Sequence, residues 1–403
     1  MQKPVTVLHL SASDKGGAYV MAANMVKEQK RQGDNALHLI YTGKLANTAI
    51  TGIGFIDRFL KFTLHAFEKL QLLLHEKDGS TRFKFSLGHP GIPYLLLKKH
   101  IRKADIIHIH WMNKGFINIR DLEKFGKPIV WTMHDIWAVT GGCHLTMGCT
   151  RYTEGCGHCP MLSVPDENDI SALLVQVKQR VYGKAKPLLI SPGKWMDNNV
   201  ANSFLGQNIA HGIIKNGVDT AVFNYTEDQI FHPVLTIGFV AANLNDTNKA
   251  LFRLAEALEL VTDKSKFKLL LVGEQKTRFD FEIPCDYEIV SGINNPNDMA
   301  ALYRKMDVLA VTSTMETFPT TLMEGCCCGT LCIGFDVGGV GEIITPFIGQ
   351  LIPAFDIRAF ADGLMHFADS KMEKRHIAAY GAKNFSLAAM CDKYRALYLS
   401  MAE

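Results

Sequence analysis

The sequence predicts an α/β protein built from two doubly wound units in tandem, followed by C-terminal helices. The chain has 403 residues, which corresponds to two or three domains at roughly 150 residues each. Its 47% of apolar residues supplies material for two buried cores. Short apolar runs alternate with helical patterns, and this alternation starts again after the turn signal Asn216-Gly217.

In the first unit, apolar runs rich in β-branched residues predict parallel strands, and an apolar spacing of three and four residues predicts a helix after the first strand. That helix covers 18–32 and is closed by Gly33. The predicted strands cover 5–10, 36–41, 106–111, 129–133 and 188–190.

The second unit repeats the pattern, with strands predicted at 235–240, 269–272, 308–311 and 331–335 and helices at 248–261, 298–305 and 319–328. From about residue 360 the chain reads as helices. The predicted domains are 1–214, 215–380 and a helix over 381–403 that returns to the first domain. Ligands of open α/β sheets bind at the carboxyl ends of the strands, so we expect the site in a cleft between the units.

The net charge of +3 argues against a nucleic-acid binder, but residues 57–104 hold ten Lys and Arg against four Asp and Glu, with bulky apolar residues interleaved. This stretch fits a contact with an anionic membrane leaflet or a lipid-linked acceptor, and equally an ordinary amphipathic helix with a solvated basic face. No run reaches the roughly 20 apolar residues of a membrane span, and the N-terminus lacks a signal-peptide pattern. We therefore expect a cytoplasmic protein, peripheral on the inner face of the cell membrane, whose cysteines are reduced or metal-bound.

The segment 312–329 carries the most chemical information. The strand over 308–311 should end at the ligand-binding edge, and Pro319 suits the first turn of the helix that follows. The free N–H groups of that turn, together with the helix dipole, form an anion site that fits a diphosphate. Glu316 precedes the helix and Glu324 lies one to two turns inside it, so they can reach different parts of one ligand. The predicted anion-binding residues are Thr320, Thr321 and Leu322.

The spacing of Glu316 and Glu324 resembles the Glu-x7-Glu motif of retaining glycosyltransferases with the GT-B fold, most closely glycosyltransferase family 4. The turn Gly338-Gly-Val-Gly-Glu342 resembles the Gly-Gly-x-x-Glu turn of the same family. The resemblance covers nearly the whole chain and implies two Rossmann-like domains facing each other across a cleft.

Other residues match the family in order along the chain. Gly16-Gly17 looks like the glycine turn over the donor phosphates, His134 like the histidine at the sugar-binding edge, and Lys249 like the phosphate-binding lysine. The segment 216–223 resembles the crossover between the domains. The family usually pairs an Arg with the lysine, whereas this chain has Asn248 before it.

The resemblance implies transfer of a sugar from a UDP- or GDP-sugar, with retention, to a glycan or polyprenyl-linked acceptor in bacterial surface polysaccharide synthesis. His134, Lys249 and Glu316 would be catalytic, and Glu324 would hold the ribose. Because the chain contains no Asp-x-Asp, we expect catalysis without a divalent metal.

Two alternatives remain open. One is another nucleotide-sugar enzyme on this fold, such as an epimerase or a phosphorylase. Another is a non-catalytic or partner-dependent sugar-nucleotide-binding protein, which Asn248 favours. A dinucleotide dehydrogenase is disfavoured because no Gly-x-Gly-x-x-Gly follows the first strand.

A cysteine-rich insert at about 141–160 is the second strong feature. Four cysteines fall within 17 residues between glycines, and the last two form Cys-x-x-Cys. Such loops can supply a tetrahedral structural zinc site, although disulfides or free thiols fit the same spacing. The predicted ligands are Cys143, Cys149, Cys156 and Cys159, and the insert resembles one found in enzymes near those that act on colanic-acid-like polysaccharide.

Overall fold

The computed structural model describes residues 4–41, 54–75, 77, 85–227, 234–369 and 373–402, without the side chains of 54–58. The chain forms two compact units, residues 1–214 with 391–403, and residues 215–390. The second unit thus extends ten residues beyond the limit of 380 suggested by the sequence. The reason is that position 381 lies inside a helix, where Gly381 packs against the backbone of Cys326 and Cys327.

The first unit contains a six-stranded sheet that is parallel throughout, with the order β2-β1-β3-β4-β5-β6. The chain reverses its direction of strand addition between β1 and β3, which makes their carboxyl ends the switch point of the sheet. The strands are β1 (Thr6–Ser11), β2 (Asn35–Ile40), β3 (Ile106–Trp111), β4 (Ile129–Thr132), β5 (Leu188–Ser191) and β6 (His211–Ile213).

Helices cover this sheet. One of them starts after the N-cap Asp169, whose side chain accepts hydrogen bonds from the backbone N–H groups of Ser171 and Ala172. The helices are α1 (Gly17–Arg31), α2 (Gly54–Leu73), α3 (Tyr94–Ile101), α4 (Ile170–Ala185) and α5 (Lys194–Asn202).

The second unit has a parallel six-stranded sheet with the order β12-β11-β10-β7-β8-β9, so its switch point lies between β7 and β10. Its strands are β7 (Leu235–Asn243), β8 (Phe267–Glu274), β9 (Asp286–Val290), β10 (Val308–Val311), β11 (Leu331–Phe335) and β12 (Gly349–Ile352). Its helices are α6 (Leu251–Glu259), α7 (Pro296–Lys305), α8 (Thr320–Cys327), α9 (Ile357–Asp369), α10 (Lys374–Asn384) and the start of α11 (Leu387–Ala402).

The prediction of two doubly wound α/β units is confirmed. Each unit has its own apolar core of strand and helix side chains. The C-terminal helix α11 belongs to the first unit from Cys391 onward, where Tyr394 and Tyr398 are buried. None of the helices within the described ranges combines the length and the apolar character needed to cross a bilayer.

Candidate functional site

The switch point of the second sheet brings together two loops that the sequence had singled out. The loop after β7 carries Lys249, and the loop after β10 carries Glu316. The two loops are joined by hydrogen bonds from Thr314 N to the Asn248 carbonyl (2.7 Å) and from Asn248 Nδ2 to the Met315 carbonyl (3.0 Å). Residues 67 positions apart therefore form one rigid surface at the edge where open sheets bind ligands.

Lys249 and Glu316 form an ion pair across these loops. Lys249 Nζ lies 2.6 Å from Glu316 Oε1, which also accepts a hydrogen bond from Ser313 Oγ at 2.6 Å. The Glu316 side chain is 12% exposed and that of Lys249 29%, so both charges are reachable but fixed in position. Such a pair offers a cation for a phosphate beside a carboxylate for sugar hydroxyls.

Asn248, which replaces the expected Arg, has a structural task. Its amide and its backbone carbonyl hold the loop that carries Glu316. A cation that the sequence did not single out, Arg253, contacts the same loop. It donates to the Thr312 carbonyl (3.2 Å) and to Thr314 Oγ1 (3.1 Å), and it lies 4.4 Å from the ring of Phe355. Arg253 stands four residues after Lys249 in the helix predicted over 248–261. This spacing was the feature of the sequence that could have indicated Arg253 as a second cation near Lys249.

Helix α8 begins at Thr320, directly after this loop. Pro319 is its N-cap (φ −68°, ψ 116°) and forms no side-chain cap, so the expectation that Pro319 lies in the first turn was wrong by one residue. The ring favours extended backbone at this position and lacks a side-chain acceptor that could cap the helix. The N–H groups of Thr320, Thr321 and Leu322 thus form the uncapped first turn of α8, where an anion is stabilised.

Glu324 lies one turn into α8 and is held by Tyr303 of α7. Tyr303 donates its hydroxyl to Glu324 Oε2 at 2.8 Å. Burial raises the pKa of Glu324 to about 7, and the tyrosine hydrogen bond opposes this shift by favouring the carboxylate. Glu324 therefore changes its ionisation state near neutral pH.

The turn Gly338-Gly339 packs directly on the loop of Glu316. Gly339 N donates to the Glu316 carbonyl at 2.9 Å. A Cβ atom on Gly338 would lie 1.8 Å from that carbonyl oxygen, and Gly338 has φ +59°. Both the close approach and the left-handed backbone require glycine at this position.

The remaining predicted residues lie in the first unit. Gly16 (φ +88°) is the N-cap of α1 and Gly17 its first residue, and a Cβ on either would meet nothing within 4 Å. His134 follows β4 and is half-buried, and its Nε2 lies 3.1 Å from His110 Nδ1. Burial lowers the pKa of His134 to about 4, so the ring is neutral.

The cysteine-rich insert forms turns around one small cavity. All four thiols line it and none is in a disulfide, as is true of the other six cysteines. Burial raises the pKa of Cys143 to about 12 and that of Cys156 to about 11. Among the described residues, three other side chains of metal-ligating type lie close together. They are His9, His108 and His110, whose potential ligand atoms lie within 4.8 Å of one another.

The chain is similar in sequence to known glycosyl transferases. The family model "Glycosyl transferases group 1" matches residues 236–385, which include Lys249, Glu316, Glu324 and the Gly338 turn. The chain is 28% identical over 269 residues to the putative colanic acid biosynthesis glycosyl transferase WcaC of Escherichia coli, covering 61% of this chain and 62% of that relative. It is also 33% identical over 297 residues to a D-inositol 3-phosphate glycosyltransferase of Saccharomonospora viridis, covering 69% and 65% of the two chains. The chain thus spans about two thirds or less of the length of these two relatives.

Solved structures share the fold at low identity. Sucrose-phosphate synthase from Thermosynechococcus elongatus has a TM-score of 0.65 at 15% identity over 98% of both chains. HepE of Anabaena, solved in complex with UDP, has a TM-score of 0.62 at 15% identity over 98% of this chain and 100% of that chain.

Proposed function

We propose that this chain transfers a sugar from a nucleotide-diphosphate donor with retention of configuration. The chain belongs to the group 1 glycosyltransferases and has the GT-B fold. The acceptor is a glycan or a polyprenyl-linked oligosaccharide in bacterial surface polysaccharide synthesis, which the likeness to WcaC supports. The observation that carries the proposal is the Lys249–Glu316 pair beside the uncapped start of α8.

Each part of such a donor has a distinct partner among the predicted residues. The first turn of α8 and Lys249 stabilise the diphosphate as its charge grows, and Glu316 binds hydroxyl groups of the sugar. Glu324 accepts hydrogen bonds from the ribose, and His134 positions the sugar. The bond between the anomeric carbon and the β-phosphate oxygen breaks, the acceptor oxygen bonds to the same face, and the departing phosphate oxygen takes the acceptor proton. No step requires a divalent metal.

We favour a UDP-sugar because HepE, with the same fold, was solved with UDP and with UDP-glucose. Thermal denaturation with UDP or GDP tests this assignment, since a ligand at 100 times its Kd stabilises by about 2.7 kcal/mol. UDP should raise the Tm, and UDP-glucose should release UDP in the presence of a lipid-linked acceptor. If neither nucleotide raises the Tm, the donor assignment is wrong. Binding without turnover would instead favour the non-catalytic alternative.

We also propose that the four cysteines of the insert bind structural zinc. Gly141 N lies 3.2 Å from Cys156 Sγ, an amide–sulfur contact of the kind that supports a thiolate. The buried Lys178, whose pKa burial lowers to about 7 while Cys143 and Cys156 raise it, would compensate the negative charge of a zinc–thiolate centre. The raised pKa values of the thiols disfavour a redox role. Elemental analysis of protein purified without added metal should give one equivalent of zinc, and a value well below one would refute the site.

Helix α2 supports peripheral membrane contact on the cytoplasmic face. Its carboxylate Glu68 is buried and accepts from Leu87 N, whereas Phe59, Phe62 and Leu70 are 57–74% exposed. Exposed apolar side chains with Lys69 and Lys77 nearby match an anionic bilayer surface. Of the basic stretch, Glu76, Asp78, Arg82 and Lys84 lie outside the described residues. Co-sedimentation with anionic vesicles should fall in Phe62→Ser and persist in the control Phe347→Ser, and equal binding of both variants would contradict the contact.

A further inference from the structure

Four histidines cross the sheet of the first unit in one line. His9 lies on β1, His108 and His110 lie two residues apart on β3, and His134 follows β4. His9 pairs with His108 in the parallel register, and residues two apart on a strand share a face. His9, His108 and His110 are at most 1% exposed. The line therefore leads from the core of the unit to the half-buried His134.

Hydrogen bonds connect three of these rings in series to Gln29 of α1. His134 Nε2 lies 3.1 Å from His110 Nδ1, and His110 Nε2 lies 2.9 Å from His9 Nδ1. His9 Nε2 lies 2.8 Å from Gln29 Oε1. Every link in the series is within hydrogen-bonding distance.

The rings in this series are neutral. Burial lowers the pKa of His9 to about 3, that of His134 to about 4 and that of His110 well below its usual value. A neutral imidazole has one N–H and one lone pair, so it donates on one side and accepts on the other. The direction of all hydrogen bonds is thus set by the group at the end of the series.

Gln29 Oε1 can only accept a hydrogen bond, so His9 carries its proton on Nε2. His9 Nδ1 then accepts from His110 Nε2, and His110 Nδ1 accepts from His134 Nε2. We propose that Gln29, acting through His9 and His110, fixes the tautomer of His134 so that its unprotonated Nδ1 accepts a hydrogen bond from a hydroxyl group of the bound sugar. This inference rests on the proposed function only for the identity of the hydroxyl donor.

A second set of contacts is compatible with this orientation of the Gln29 amide. Its Nε2 donates to the Tyr398 hydroxyl at 3.4 Å, and that hydroxyl lies 2.6 Å from His108 Nδ1, to which it can donate. His108 Nε2 lies 2.7 Å from Thr132 Oγ1. In this orientation the amide oxygen faces His9 Nε2. His134 Nδ1 has no hydrogen-bond partner in the part of the chain that the structure describes.

The cluster of His9, His108 and His110 resembles a metal site in composition but not in bonding. All six ring nitrogens already have hydrogen-bond partners. No Asp or Glu among the described residues hydrogen-bonds to any of the three rings, so a buried divalent charge would be uncompensated. The hydrogen bonds of these three rings therefore determine which nitrogen of each ring carries the proton.

The test is the tautomer of His134 in the ligand-free, full-length protein, measured by long-range ¹H–¹⁵N correlation on ¹⁵N-histidine protein. His134→Asn identifies its signals. We expect a proton on Nε2 and none on Nδ1. A proton on Nδ1, as a reversed Gln29 amide would impose, overturns the proposal without reference to any activity.

Gln29→Met tests the role of Gln29, because it keeps the size of the side chain and removes the acceptor. We expect mixed His134 tautomers and a KM for the donor sugar nucleotide raised about twofold to fivefold, since only the competent tautomer binds. Tyr182→Phe is the matched control: it removes a buried hydroxyl that donates to the Ala138 carbonyl (2.7 Å), outside this set of contacts, and should leave the tautomer unchanged. A single unchanged tautomer in Gln29→Met, or mixed tautomers with unchanged KM, would overturn the assignment. Absence of all transfer in the wild type would refute the proposed function and leave the tautomer result standing.

Discussion

At the switch point of the first sheet, between β1 and β3, the buried polar side chains are neutral imidazoles, hydroxyls and an amide. At the switch point of the second sheet, between β7 and β10, the paired polar side chains are an ammonium and a carboxylate 2.6 Å apart, next to the uncapped start of a helix. The two sheets have the same doubly wound topology. The topology fixes where a ligand can bind, and the side chains at that position decide which chemical group it can be.

Under the proposed function, this difference separates binding of the sugar from binding of the diphosphate. Neutral rings such as His134 can exchange hydrogen bonds with sugar hydroxyls but offer no charge to a phosphate. Lys249 and the first turn of α8 can stabilise a diphosphate. Substitutions in the second unit should therefore act on the nucleotide, and substitutions in the first on the sugar.

The largest effect is expected from Lys249→Met. It removes the cation that stabilises the leaving group and leaves Glu316 without its partner. We expect kcat/KM for the sugar nucleotide to fall about 100-fold, which corresponds to ~2.7 kcal/mol of transition-state stabilisation, and UDP binding to weaken as well. Steady-state transfer assays and UDP titration measure the two effects.

The control for that variant is Lys266→Met, whose ion pair with Asp369 is largely exposed and should contribute little. His134→Asn sharpens the comparison, because it should weaken binding of the sugar nucleotide while leaving UDP affinity unchanged. Equal losses of UDP affinity in His134→Asn and Lys249→Met would remove the division of tasks between the units.

A smaller effect is expected from Gly338→Ala, compared with Gly292→Ala. Both glycines have positive φ, +59° and +73°, so both variants bear the left-handed backbone cost of about 1–2 kcal/mol. A Cβ on Gly338 also meets the Glu316 carbonyl at 1.8 Å, whereas one on Gly292 meets nothing within 4 Å. Gly338→Ala should lower the free energy of unfolding by a further ~1–2 kcal/mol and slow transfer. Equal unfolding free energies of the two variants, from urea titration, would show that the turn does not hold the Glu316 loop.

Much of the fold followed from local patterns. The strands over Ile106–Trp111, Val308–Val311 and Leu331–Phe335 were predicted at their observed bounds, since each is short, rich in apolar residues and buried on both faces. Of the outer strands, β2 was predicted within one residue of its observed bounds, whereas β6, β9 and β12 were missed. Asp286–Val290 begins with exposed polar residues and His211–Ile213 has only three residues, so neither shows the apolar run of a central strand.

The candidate site followed from the sequence only as a set of separate residues. Tertiary contacts decide that Lys249 pairs with Glu316 and that Asn248 holds the neighbouring loop, and spacing along the chain does not encode them. The histidine series had a signal, because His108 and His110 are two apart within one strand and must share a face. Its end at Gln29 had none, since a buried amide in the middle of a helix looks like any polar helix residue.

The smallest effect is expected from Tyr303→Phe, which removes the hydrogen bond to Glu324 at 2.8 Å. One lost hydrogen bond should cost about 1 kcal/mol of stability. Because Tyr303 favours the ionised form, the pKa of Glu324, already raised by burial to about 7, should rise further. A carboxyl whose pKa is raised by folding adds stability below its unfolded value of 4.5, and this contribution is lost as the pH rises through the folded pKa. The loss of stability with rising pH should therefore finish at a higher pH in Tyr303→Phe than in the wild type.

The same substitution tests whether Glu324 binds the nucleotide. If ionised Glu324 accepts the ribose hydroxyls, UDP affinity should increase with pH, and in Tyr303→Phe this increase should occur at the same higher pH. Glu324→Gln should show neither pH dependence. Identical pH profiles of UDP binding in Tyr303→Phe and the wild type would mean that Glu324 does not hold the nucleotide, and would leave Lys249 and the first turn of α8 as its contacts in the second unit.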